Sequence, residues 1–225
     1  MSMDNLLRGG ILLAIIAGVT TLATPAFAQG IANSVHDLNV YNTNAVTMPD
    51  SRICVACHTP HNGTQSITDA PLWNHEVTVG PFQPYASGGT IQAVDLGDPG
   101  GISLLCLSCH DGSVALDSFG AATSSPGNDA VTMTGAALVS TDLRNDHPIS
   151  FTYNDGLAGT DGELHTPSDT NSGIGGFIAD DMLFGAGNDQ LECASCHDVH
   201  NGTALAYLLR KTNVSSQLCL TCHNK

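Results

Sequence analysis

Residues 54–64 read Cys54-Val55-Ala56-Cys57-His58-Thr59-Pro60-His61-Asn62-Gly63-Thr64, and they return at 193–203 as Cys193-Ala194-Ser195-Cys196-His197-Asp198-Val199-His200-Asn201-Gly202-Thr203. A shorter phrase follows each: Leu105-Cys106-Leu107-Ser108-Cys109-His110, and Leu218-Cys219-Leu220-Thr221-Cys222-His223. The chain thus holds two copies of one unit, a long phrase and then a short one. First cysteine to first cysteine, the interval is 52 residues in the first copy and 26 in the second. The four phrases use all eight cysteines, and in each a histidine directly follows the second cysteine.

C-x-x-C-H is the attachment site of c-type haem. Two thiols add across the vinyl groups and the adjacent histidine binds iron from below the ring. Structural zinc also uses paired cysteines, but it does not require a histidine at that one position. A thioredoxin-like dithiol is a single C-x-x-C in a βαβ setting, and no such pattern is present. In an exported chain, eight cysteines also raise the alternative of four disulfides. The spacing favours four covalent haems c on Cys54, Cys57, Cys106, Cys109, Cys193, Cys196, Cys219 and Cys222, with proximal His58, His110, His197 and His223.

Six of the ten histidines remain for the distal side: His36, His61, His75, His147, His165 and His200. His61 and His200 stand three residues after a proximal histidine. A histidine there cannot reach back to its own iron, so each is expected to serve a neighbouring haem. His36 and His147 precede the first phrase of their copies and complete two distal candidates per copy. His75, beside the sole tryptophan Trp73, is the rival for any of the four positions, whereas His165 reads as a histidine without iron. Met48, Met133 and Met182 lie outside any motif, so methionine ligation is the minor reading. Imidazole on both faces gives low-spin iron of low potential, suited to electron transfer and closed to substrate.

The 225 residues carry 21 acidic and 6 basic side chains, a formal charge of −15. That charge excludes nucleic-acid binding and disfavours docking on an anionic membrane. Only 5% of the residues are aromatic and 12% charged, while Gly (24) and Pro (10) are plentiful. A core of large side chains would be thin, so the expected fold is mostly irregular coil with short α-helices and few strands, organised around the haems. Short helices are expected at each C-x-x-C-H, with a helical extension at 205–211 and short strands at 90–96 and 147–153. Asp-Gly and Asn-Gly pairs read as turns, including the Asn62 and Asn201 sequons. The acidic 155–163 stretch lacks EF-hand spacing and reads as a solvated loop.

Residues 1–28 have the order of a secretory signal: Arg8, an apolar run from Ile11 to Leu22, then Ala26-Phe27-Ala28 before cleavage. The apolar run is short for a transmembrane anchor, which needs about 20 residues. Domain organisation is therefore signal 1–28 and a tetrahaem domain 29–225, with haem-pair repeats at about 35–117 and 146–225 and a connector at 118–145. The mature chain is expected to be exported, with no membrane span, to the periplasm, cell surface or exterior.

The succession His36-Asp37-Leu38, C-x-x-C-H-T-P-H-N, Leu72-Trp73-Asn74-His75, C-L-S-C-H-D-G and L-C-L-T-C-H resembles the multihaem c-type cytochromes with doubled C-x-x-C-H motifs. More closely, residues 35–225 are similar to extracellular tetrahaem cytochromes of metal-reducing bacteria, some of them filament formers. The resemblance implies bis-histidine haems passing electrons to redox partners and an outside acceptor, and, in filament formers, a distal histidine lent by a neighbouring subunit. His36, near the mature N-terminus, is the expected donor. A monomeric periplasmic shuttle is the alternative. A multihaem reductase is a lesser one, since all four motifs end in histidine and the only lysines are Lys211 and Lys225.

Overall fold

The computed structural model describes residues 30–40, 49–64, 66–70, 72–86, 90–120 and 131–225. The expected signal 1–28 and residues 121–130 of the expected connector lie outside the described residues. Irregular chain dominates, punctuated by α1 (Gly101–His110), α2 (Asp155–Asp161), α3 (Ile178–Met182), α4 (Cys193–Cys196) and α5 (Cys219–Cys222). The sole sheet among the described residues joins β1 (Phe151–Thr152) to β2 (Gln190–Leu191) antiparallel, Phe151 opposite Leu191. No described helix is long and apolar enough to cross a membrane.

Side-chain packing is uneven between the copies. Phe151, Tyr153, Ala158, Ile178, Met182, Leu183, Leu191 and Leu218 form one core, all in the second copy. The first copy has only Ala56 and Leu116 buried together, flanked by Leu38, Val55, Cys109 and Phe119. The copies meet where α1 packs on α4. α1 is buried along Ser103, Leu105, Leu107 and Ser108, so it runs through the interior rather than along the surface.

Several local expectations are corrected. Residues 155–161 form α2 rather than a solvated loop, because the Asn154 side chain accepts from the Leu157 amide at 3.0 Å and Ala158 turns into the core. Gly162, at φ 76°, ends that helix. Residues 90–96 form no strand: the nearby ladder is replaced by Asp95, which accepts from the Thr152 amide and hydroxyl at 3.0 and 2.6 Å. The 147–153 strand shrinks to Phe151–Thr152. The helix expected at 205–211 is one 3₁₀ turn, Ala206–Leu208, because Tyr207 and Leu208 hold left-handed φ angles of 59° and 55°. Of the four C-x-x-C-H phrases, the first has no helix, only a turn closed by the His58 amide on the Cys54 carbonyl at 2.8 Å.

Candidate haem sites

Each long phrase is held by the same scaffold. The Thr59 amide donates to the Leu72 carbonyl at 2.9 Å, and the Asp198 amide to that of Leu208 at 2.6 Å. The Asn74 amide reaches the Cys57 carbonyl at 3.0 Å, and the Arg210 amide that of Cys196 at 2.9 Å. Side chains repeat the pattern: Asn74 Nδ2 donates to the Val55 carbonyl and Arg210 Nε to the Ala194 carbonyl, both at 2.5 Å. Residues 72–75 and 208–211 are therefore structural equivalents that share little sequence, and His75 stands where the second copy has Lys211. The Asn-Gly turns also agree, with Asn62 and Asn201 at φ 59° and 55°. Asparagine tolerates that left-handed backbone better than most residues.

The imidazoles are prepared as metal ligands. His110 Nδ1 donates to the Ala137 carbonyl at 2.7 Å, and His197 Nδ1 to the Tyr207 carbonyl at 2.8 Å. His147 and His75 make the same bond at 2.8 Å to Pro148 and Glu76. A carbonyl only accepts, so the proton sits on Nδ1 and Nε2 keeps its lone pair for iron. Burial, reinforced by the neighbouring His110, lowers His36 to about 4, so it is a neutral base at physiological pH.

Three pairs of rings face each other at ligand spacing. His58 and His200 have centroids 6.1 Å apart and lie 11° from parallel. His36 and His110 stand at 6.0 Å and 67°, His147 and His223 at 6.3 Å and 72°. Two imidazoles bound through Nε2 on opposite sides of one metal, with bonds of about 2 Å, put their centroids about 6 Å apart. His36 thus faces a histidine of its own chain. Among the described residues no imidazole stands opposite His197 at that spacing. His61 is exposed, with its amide 3.4 Å from Thr59 Oγ1. His75 is 3% exposed and turns Nε2 to within 3.6 Å of Cys109 Sγ. His165 is fixed by backbone bonds, its carbonyl accepting from the Tyr153 hydroxyl at 2.6 Å.

The thiols form a succession. Cys57 lies in the electrostatic reach of Cys109, Cys106 in that of Cys193, and Cys196 in that of Cys219 and Cys222. None of the eight is in a disulfide. Burial pushes Cys109 and Cys222 up to about 12, so both are protonated at neutral pH and poor disulfide nucleophiles. Among the described residues no three His, Cys, Asp or Glu side chains converge as a metal cage. Paired free thiols, imidazole pairs with centroids 6.0–6.3 Å apart, and a buried Trp73 Nε1–H with no acceptor among the described residues together fit haem, whose propionates accept such donors.

Residues 186–225 match the family described as doubled CXXCH motif. That span holds the two motifs of the second copy and indicates c-type haem binding, which supports a multihaem c-type cytochrome. No curated protein matches the chain. Sequence reasoning missed one participant of the site, Glu192. Its signal was a lone acid directly before an attachment cysteine.

Proposed function

We propose that this protein is an exported electron carrier with four covalent haems c, and that electrons move along them in the order of the four motifs. The observation that carries this reading is the succession of attachment motifs: α1, which ends in the second motif, packs on α4 of the third, while Cys57 lies in the electrostatic reach of Cys109 and Cys196 in that of Cys222. Bound haem supplies a one-electron Fe(III)/Fe(II) couple. The protein's part would be to hold the four groups in file and to offer paired imidazoles to three of them. His58 with His200, His110 with His36, and His223 with His147 are the axial pairs we assign. Irons held between two imidazoles, as three of the four would be, suit a carrier rather than an enzyme.

The same reading extends to assembly. His58 faces the His-x-x-His histidine of the following copy, namely His200. Among the described residues no imidazole stands opposite His197, and the exposed His61, the counterpart of His200, makes no ring contact with another imidazole. Applied across a junction, the rule sets His61 of a second molecule opposite His197, and repetition generates a head-to-tail filament. Such a filament would carry electrons from periplasmic donors to an outside acceptor. The charge of −15 opposes association at low ionic strength, and a bond from His61 to iron offsets that repulsion.

The test combines mass spectrometry with electron microscopy of the secreted protein. We expect the chain from residue 29 plus four haem masses, low-spin spectra, and filaments. Fewer than four haems would overturn the stoichiometry. A monomer at every salt concentration would leave the soluble shuttle in place of the filament.

A further inference from the structure

The joint between the two copies is built around a buried carboxylate. Glu192 is 3% exposed, precedes Cys193, and reaches across to α1. Its Oε2 accepts from the Ser103 amide at 3.2 Å, from the Ser103 hydroxyl, and from the Ser150 hydroxyl at 2.9 Å. Ser103 closes the bracket by accepting from the Cys193 amide at 2.9 Å. On the other side, Glu192 Oε1 fills the space a Cβ at Gly101 would take, and Gly101 has φ +49°. No lysine or arginine pairs with Glu192 among the described residues. Burial holds its proton affinity above the usual carboxylate range, and the three donors, which favour the ionised form, offset that rise only in part.

The position of this charge matters. Ser103 lies one helical turn before Cys106 and accepts from the Cys193 amide, so one side chain links the second and third attachment motifs. Both thiols lie in the field of Glu192. The carboxylate therefore sits at the attachment motifs of the second and third haems, bonded to α1 ahead of Cys106 and directly preceding Cys193. A negative charge in a poorly solvated joint stabilises the ferric over the ferrous state, since reduction removes a positive charge from the neighbouring centre. Resting on the four-haem reading, we propose that Glu192 is a potential-setting residue that lowers the midpoint potentials of the two middle haems relative to the two outer ones. Reducing equivalents then dwell at the ends of the file, where transfer to another molecule takes place.

The experiment is spectroelectrochemical titration of the holoprotein, with haem content by mass, for wild type, Glu192→Gln, Glu192→Met and Glu192→Asp. We expect the neutral variants to keep four haems and to raise two of the four midpoint potentials, while Glu192→Asp leaves all four near the wild-type values. Four attached haems with unmoved potentials in Glu192→Gln and Glu192→Met would overturn the proposal. So would loss of haem in both neutral variants with retention in Glu192→Asp, because Glu192 would then serve only to hold the joint. Absence of covalent haem from the wild type would instead refute the four-haem reading itself.

Discussion

His58 and His200 stack 11° from parallel with their ring centroids 6.1 Å apart, and they belong to different copies of the repeat. The pairing sets a histidine of the first copy's first motif against one of the second copy. His36·His110 and His147·His223, by contrast, each close within one copy. The two copies are therefore interlocked rather than strung together. Glu192 and Ser103 reinforce the same junction from the backbone side.

Replacing His200 with Ala is expected to leave four haems attached, since no thiol is touched. One of the four should become high-spin and bind carbon monoxide. Electron paramagnetic resonance and the ferrous–CO difference spectrum read this directly. An unchanged low-spin spectrum would remove His200 from the assignment. His36→Ala should likewise convert one haem in isolated monomers, since His36 faces His110 of its own chain.

His61→Ala separates assembly from haem attachment. The variant should carry four haems and fail to form filaments, and sedimentation should show single chains. Filaments of normal length from His61→Ala would refute the junction rule. Its spectrum should then match that of the wild type.

A methyl group at Gly63 would lie 2.7 Å from the Leu72 Cα and carbonyl carbon, a backbone that cannot withdraw without losing the Thr59–Leu72 bond. Gly63→Ala should cost about 1–3 kcal/mol by overpacking. Its equivalent, Gly202, meets only Asp198 Oδ2 at 2.8 Å, the end of a side chain that can rotate. Gly202→Ala should therefore lower the melting temperature less than Gly63→Ala does. Thermal unfolding of the two variants side by side tests the order.

Lys211 Nζ donates to the Ser172 carbonyl at 2.8 Å and to Thr221 Oγ1 at 2.9 Å, bracing the last motif. Lys211→Met should lose about 1.5–3 kcal/mol, the range for hydrogen bonds from a charged group. Denaturant unfolding measures this, with haem content as the control. A neutral effect would mean that the α5 region is held by the core around Leu218 alone.

By itself the amino-acid sequence determined the chemistry of attachment. Cysteine spacing is a covalent constraint that acts within five residues, and the four motifs carry it whatever the fold does around them. The sparse secondary structure was legible for a related reason, because composition limits how large a side-chain core can be. The turn at Asn62 and Asn201 was legible too, since an Asn-Gly pair states its own backbone preference.

What faces what was decided only by the tertiary structure. That His200 reaches His58, that His36 reaches His110, and that residues 72–75 and 208–211 brace equivalent sites depend on contacts between segments far apart in the chain. No local pattern encodes them, because backbone hydrogen bonds carry the equivalence and are indifferent to the side chains, so that His75 and Lys211 occupy one structural position. Helix α2 was missed because a tertiary contact, the burial of Ala158, outweighed the turn signal of Asp155-Gly156. Glu192 stayed hidden for the same reason: its environment is assembled from Ser103, Ser150 and Gly101, which only folding brings together.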